Sequence, residues 1–172
     1  VVPFASGQWV SYTSDETELS SNDSANRLSG TVGVTFSTQF HRIDDGFESR
    51  MFDLHRMRHI VEPSVTVWHG ASDRDLATIP EYEWAVDGVG EGSALRLGVT
   101  NTWQTLRGGP GRWTSVDWLT MDVQAVFSSH DATSRYPTPQ WFSWRPEYST
   151  FGDFVSTSAT LRLRDRVAVL GE

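Results

Sequence analysis

Two histidines, His55 and His59, have the side-chain type and spacing most suggestive of metal chemistry. A separation of four residues places two imidazoles on one face of a helix, where they can ligate zinc. The surrounding residues instead alternate in polarity as a strand does, and the glutamate of the helical zinc-protease motif is missing between them. We therefore interpret the pair as polar residues near a strand end, and we predict no metal and no other cofactor.

Other motifs are too incomplete to support catalysis. The glycine-rich stretch 88–92 lacks the Lys-Ser/Thr pair of a phosphate-binding P-loop. Asp44 and Asp45 could act as an acid–base pair, but adjacent carboxylates before a glycine are typical of a solvated turn. The sequence has no Gly-x-Ser-x-Gly nucleophile elbow, and the absence of cysteine excludes thiol catalysis. We therefore predict no catalytic residues from these motifs.

Aromatic residues provide a second kind of candidate site. Trp141, Phe142 and Trp144 lie close together in the polar segment 128–153. Exposed tryptophan can stack on sugar rings, so a tryptophan-rich carbohydrate-binding β-sandwich is one functional alternative. We favour a loop that folds back and packs its own aromatic residues, or an aromatic girdle.

Composition narrows the classes of protein that remain. The chain has 172 residues, with 14 basic residues, all of them arginine, 22 acidic residues and a net charge of −8. Nucleic-acid-binding domains usually carry a basic stripe, so we expect no nucleic-acid partner. No apolar run approaches the roughly 18 residues of a transmembrane helix. We interpret the chain as a segment of a longer protein.

Strands would have to position these residues, because polarity alternates with a period of two along much of the chain. Valine, leucine and aromatic residues occupy one face of each run, and small polar residues occupy the other. The runs exceed the roughly 5–6 residues of an ordinary strand, and a membrane-spanning strand needs about 9–11. They cover residues 28–40, 57–69, 94–106, 115–127 and 155–163.

The connections between these runs alternate in length. Outer-membrane barrels show such alternation, with short periplasmic turns and long outer loops. We therefore predict an all-β fold, an antiparallel up-and-down meander of about seven strands that forms a curved open sheet, part of a transmembrane β-barrel. The predicted connections, alternately long and short, are 15–27, 44–48, 70–93, 107–114, 128–153 and 164–166.

The polar face of such a barrel segment would line its lumen. Arg96 and Arg162 lie mid-strand between leucines, and arginine on the lipid face costs about 2–4 kcal/mol at the midplane. A β-sandwich would present the same alternation as a solvent face, and only strand length and loop alternation favour the barrel. The residues predicted to face the lumen are Thr35, Arg96, Thr100, Gln104, Gln124 and Arg162.

One stretch resembles a known family. Arg58-His59-Ile-Val-Glu62-Pro63-Ser-Val-Thr66 is similar to the Arg-His-x-x-Glu-Pro-x-Val-Thr stretch of LptD, the lipopolysaccharide-assembly family of the outer membrane. A proline is unusual in a central strand, and a family feature explains it better than chance does. Weaker likenesses extend the resemblance over roughly residues 50–170, at 79–82 with Asp87, at 95–105, at 116–127 and at 151–155.

The resemblance implies a segment of the carboxy-terminal barrel of that family, in the Gram-negative outer membrane. The implied function is transport of lipopolysaccharide to the outer leaflet, by a translocon that is not an enzyme. An LptE-like plug lipoprotein and the periplasmic Lpt bridge are the implied partners. We expect the amino-terminal jelly-roll domain and the other barrel strands to lie outside this segment. The disulfide-forming cysteines of some members are absent here. A porin-like outer-membrane channel is the remaining alternative.

Overall fold

Strands dominate the computed structural model, which describes residues 1–13, 24–74, 90–132, 135–164 and 167–172. No helix in this part of the chain is long and apolar enough to cross a membrane. The elements are β1 (Val2–Thr13), β2 (Ser24–Ser37), β3 (Phe40–Ser49), β4 (Leu54–Ser72), β5 (Gly92–Arg107), β6 (Thr114–Ser128), β7 (Phe154–Arg164) and β8 (Val167–Gly171), with 3₁₀ turns at Gln140–Phe142 and Pro146–Thr150.

All eight strands belong to one sheet. The order is β1-β2-β4-β5-β6-β7-β8, and β3 pairs with β4 beside this path. The pairs β1–β2, β3–β4 and β7–β8 are antiparallel. The structure confirms the predicted all-β antiparallel meander, with eight strands in place of about seven. Within the described residues, the sheet is not closed, because β1 and β8 end the order without pairing to each other.

The eighth strand arises because the predicted run 28–40 is interrupted. Pro63 of β4 has no N–H to donate, so the ladder loses a hydrogen bond at this position. Its carbonyl accepts a hydrogen bond from the backbone nitrogen of Thr38 at 3.3 Å, in the gap between β2 and β3. β3 then continues along β4, with Phe40 opposite Val61. Only residue 40 of β3 belongs to the predicted run 28–40, so β3 is a strand that the periodicity did not predict, and it shares its neighbour β4 with β2.

The predicted turn at 44–48 is wrong in position. The Asp44 carboxylate accepts a hydrogen bond from the backbone nitrogen of Gly46 at 3.1 Å, so the local turn chemistry does form. This turn does not reverse the chain. It lies within β3, as a register irregularity of the β3–β4 ladder between Asp44 and Glu48. The chain reverses instead at 50–53, where Asp53 has a φ of 51°.

After the two-residue gap 38–39, short and long connections alternate from β3 to β7. Residues 50–53 and 108–113 are short links, whereas 73–91 and 129–153 are long. Successive connections of an antiparallel meander fall at opposite ends of the sheet, because each strand reverses the chain direction. Residues 14–23, 75–89, 133–134 and 165–166 lie outside the described residues, so the predicted connections 15–27, 70–93, 128–153 and 164–166 are described only in part.

The strands contribute to two compact units, and the first contains the long connections. It comprises Val1–Phe36, Thr66–Arg96 and Val126–Phe154. Its core includes one residue from the 129–153 connection, so that connection is part of the folded unit. The core residues are Trp68, Ala94, Val126 and Phe142, with Phe4 and Phe154 packed against them.

The second unit comprises Ser37–Val65, Leu97–Ala125 and Val155–Glu172, and it contains the short links 50–53 and 108–113. Leu54, Met57 and Ile60 are buried along β4 in this unit. Aromatic and imidazole rings pack near its strand ends, and these pairs are described with the candidate site below.

Candidate functional site

A buried polar network lies in the first unit. Thr66 of β4 is fully buried, and its hydroxyl lies 3.0 Å from that of Thr35. Arg96 donates from Nη2 to the Thr66 hydroxyl at 3.2 Å and from Nη1 to the Phe142 carbonyl at 3.1 Å. Two of the residues predicted to face a lumen are thus brought together through Thr66, which the sequence prediction did not select.

The segment 135–151, which we name the covering segment, packs against this network. The Arg96 guanidinium lies 5.5 Å from the ring centroid of Phe142 and 5.9 Å from that of Trp141. These are cation–π distances, so the arginine holds the segment through both its charge and its hydrogen bond. The covering segment is therefore packed into the first unit through specific contacts with Arg96.

Hydrogen bonds also fix both ends of the long connection that contains the covering segment. At its start, the backbone nitrogen of Ser129 donates to the Ser93 carbonyl at 2.9 Å. At its end, the Asp153 carboxylate accepts from the backbone nitrogen of Ser128 at 2.8 Å. The Ser129 side chain also hydrogen-bonds the carboxyl of Asp131, which lowers the pKa of that group below its ordinary value.

The three aromatic residues singled out from the sequence occupy different environments. Phe142 is 0% exposed, Trp141 is 48% exposed and Trp144 is 50% exposed. Trp141 packs edge-on against Phe4, with centroids 5.1 Å apart. Trp144 instead lies beneath the Arg145 guanidinium at 5.2 Å. Phe142 therefore packs the loop, whereas Trp141 leaves half of its indole accessible.

Trp141 and Trp68 form aromatic walls of a pocket of about 210 Å³ within the first unit. A Cβ on Gly70 would lie only 2.5 Å from Cζ2 of Trp68, so the indole lies directly over this glycine. Trp68 lies two residues after Thr66 and two before Gly70, so in the alternation of β4 it falls on the same face as both. A tryptophan among the polar and small residues of that face is the pattern that could have identified this wall. Sequence reasoning did not single out Trp68 from that pattern.

Serine, threonine and glutamine side chains, with two glycines and a proline, form the rest of the lining that the described residues provide. Ser29 is 3% exposed, and its hydroxyl has no hydrogen-bond partner among the described residues. No local signal marks these residues, because they come from β1, β2 and the covering segment. Its polar side chains include Gln8, Ser29, Thr31 and Gln140.

The other four predicted lumen residues lie in the second unit. Thr100 donates to the Asp122 carboxylate at 2.8 Å, and Gln104 donates to Asp117 at 2.8 Å. Gln124 is buried and Arg162 is exposed. Within the described residues, no hydrogen bond joins these four side chains to one another, so they do not form a single site.

The four motif residues lie on β4 in the second unit. His59 stacks on Trp103, with centroids 4.4 Å apart and planes 4° apart. Its Nε2 lies 3.1 Å from the Asn101 amide oxygen. Arg58 and Glu62 are half-buried, and Pro63 marks the β2–β3 interruption described above. His59 and Pro63 of the motif therefore have structural roles in β4, in ring packing and in strand pairing.

The two histidines do not converge on one point. His55 lies 3.2 Å from the carboxylate of Asp53 and packs against Trp113 with centroids 4.8 Å apart, whereas His59 contacts Asn101 and Trp103. In the described ranges, no group of three or more histidine, aspartate or glutamate side chains is placed to hold a metal ion.

Apolar side chains are exposed in both units, and polar residues alternate with them. In the first unit, exposed Val67 lies between buried Thr66 and Trp68. In the second, exposed Val99 precedes half-buried Thr100, and exposed Val123 precedes buried Gln124. A sheet that faces water on one side normally shows the reverse arrangement. Other exposed members of this apolar set are Val32, Phe36, Val65 and Leu97, while Val34, Leu119, Met121, Leu161 and Leu163 are half-buried.

Comparisons with known proteins identify no family. No family model, no curated protein and no solved structure matches this chain. Part of the stretch that resembles LptD, at 79–82 and Asp87, lies outside the described residues, as do the first two residues of the glycine-rich stretch 88–92.

Proposed function

We propose that this chain is part of the wall of a Gram-negative outer-membrane β-barrel that transports lipopolysaccharide to the outer leaflet. The observation that carries the proposal is the exposure of apolar side chains such as Val99 and Val123 beside occluded polar ones. In water, each Å² of apolar surface that stays exposed loses the roughly 25 cal/mol of stabilising free energy that its burial would contribute. In a bilayer the lipid tails cover that surface.

Strand length supports a membrane location. β4 has 19 residues, β5 has 16 and β6 has 15. A tilted strand needs about 9–11 residues to cross the hydrocarbon core. Each of these strands is therefore long enough to cross it and to extend beyond it.

Aromatic residues near the strand ends of the second unit support the same proposal. Trp103 stacks on His59, and Trp113 packs against His55. Tryptophan rings with polar neighbours are typical of the girdles where a barrel meets the lipid headgroups. These rings would then mark one edge of the apolar band.

Lipopolysaccharide is proposed as the cargo because of the LptD-like stretch from Arg58 to Thr66. By the same resemblance, an LptE-like lipoprotein and the periplasmic Lpt bridge are proposed as partners. No chemical reaction is required of any residue.

Depletion of this protein in its host is expected to lower surface lipopolysaccharide while total lipopolysaccharide is retained inside the cell. Labelling of intact cells measures the surface pool, and gel analysis of lysates measures the total. Expression of the wild-type gene from a second copy should restore the surface pool. An unchanged surface pool together with reduced uptake of small solutes would contradict the transport proposal and favour a porin-like channel.

Cysteine labelling tests orientation on a background without native cysteine. We expect Glu147→Cys, in the covering segment, to react with a membrane-impermeant maleimide on intact cells. Gly109→Cys, in the short link 108–113, should react only after permeabilisation. A Cβ at Gly109 meets no atom within 4 Å, so this substitution fits. The reverse labelling pattern would invert the proposed topology.

A further inference from the structure

We propose that the pocket between Trp68 and Trp141 binds one neutral pyranose ring. The inference rests on the proposed function in one respect, which is that the ring belongs to the saccharide of lipopolysaccharide. The pocket lies in the unit that contains the long connections, which barrels of this type turn toward the cell surface.

The exposed indole of Trp141 suits the C–H face of a sugar, whereas Trp68 is 2% exposed and adds little accessible surface. An indole presents a flat apolar surface with a negative face, and pyranose C–H groups pack on such a surface. Trp141 is held by its edge-on contacts with Phe4 and Phe142, at 5.1 and 4.6 Å between centroids. It is still 48% exposed, so its ring is both positioned and accessible.

The polar lining suits the hydroxyl groups of the same ring. Ser29 is 3% exposed and lines the pocket, and its hydroxyl has no partner among the described residues. A buried hydroxyl without a partner is unfavourable, so a ligand hydroxyl that reaches it would satisfy a group the fold leaves unpaired. Gln8 and Gln140 add amide groups, which can donate and accept.

Charge and size narrow the ligand to a small neutral molecule. Among the described residues that line this pocket, none has a charged side chain. Its volume of about 210 Å³ is below the roughly 300 Å³ at the lower end of drug-sized ligand sites. The pocket therefore suits one sugar ring of a longer saccharide, with neighbouring units outside.

The test is a tryptophan-fluorescence titration of the purified chain in a detergent without a sugar headgroup. The probes are methyl β-D-glucopyranoside and, in parallel, deacylated lipopolysaccharide. We expect saturable binding of both. Saturation with the methyl glycoside alone would overturn the assignment of the ring to lipopolysaccharide, and saturation with neither would overturn the binding site.

Two tryptophan variants form a matched pair. Trp141→Ala removes a pocket wall and should raise the dissociation constant at least tenfold. Trp144→Ala removes an equally exposed indole that does not line the pocket, and should change the constant less than twofold. Equal losses in the two variants would overturn the proposal, because they would indicate nonspecific adsorption.

Ser29→Ala separates binding from folding. Because the hydroxyl is unpartnered, its removal should leave the unfolding midpoint unchanged or higher. The loss of one hydrogen bond to the ligand should raise the dissociation constant about two- to tenfold. Unchanged binding in this variant would refute the role assigned to Ser29. The cysteine labelling of Glu147 and Gly109 reports membrane orientation independently, so failure of sugar binding and failure of the proposed function are distinguishable.

Discussion

Replacement of Val99 by arginine is expected to lower the free energy of unfolding of the membrane-inserted protein by about 2–4 kcal/mol. Val99 is exposed in β5, and in the proposed barrel its side chain lies in the hydrocarbon region. A guanidinium at that position must be dehydrated or must draw water into the bilayer. The measurement is equilibrium denaturation in phospholipid vesicles.

Thr100→Arg is the matched control for Val99→Arg. Thr100 is the next residue, on the other face of β5, and its hydroxyl already donates to the Asp122 carboxylate at 2.8 Å. An arginine there meets an anion, so the expected loss of stability is smaller than that of Val99→Arg. Equal losses, or a larger loss at Thr100, would contradict a lipid-facing position for Val99.

Replacement of Phe142 by alanine is expected to cost about 3–5 kcal/mol of folding stability. Phe142 is 0% exposed and packs with Trp68, Ala94 and Val126. Its loss leaves a cavity in the first unit and removes a ring beside the Arg96 guanidinium, 5.5 Å from its centroid. The expected consequence is release of the covering segment as well as reduced stability.

Limited proteolysis and denaturant unfolding measure these two effects. We expect faster cleavage within residues 135–151 in Phe142→Ala, and a lower unfolding midpoint. Trp144→Ala serves as the control, because that indole is half exposed and packs on Arg145. Its effect should stay within about 0.5 kcal/mol, as for a typical surface substitution. Protection equal to wild type in Phe142→Ala would contradict an anchoring role for this ring.

Much of the strand content could be predicted from local sequence. A period of two is a property of consecutive residues, and it located five of the eight described strands and the alternation between Val99 and Thr100. Proline and turn residues were harder to interpret, because their effect depends on the neighbouring strand. Pro63 lies opposite the break between β2 and β3, where its carbonyl accepts a hydrogen bond from Thr38. Asp44 and Gly46 form a local turn, but the strand β3 continues through it with a register irregularity.

The candidate pocket depends on contacts that no local pattern contains. Gln8, Ser29, Trp68 and Trp141 come from four separate parts of the chain. Arg96 reaches the Phe142 carbonyl across 46 residues of sequence. Trp141 is accessible and its neighbour Phe142 is buried because of how the covering segment packs. The local sequence, two adjacent aromatic residues, does not indicate which of the two is buried.

The sequence by itself determined that this protein is built from long antiparallel strands with one apolar and one polar side, because side-chain direction alternates along any extended chain. Only the tertiary structure decided that Val67, Val99 and Val123 are exposed in β4, β5 and β6 while Thr66 and Trp68 are buried. The physical reason is that alternation distinguishes two faces without assigning either to the interior. That assignment follows from the packing of Phe142 and the covering segment over the polar face of the first unit.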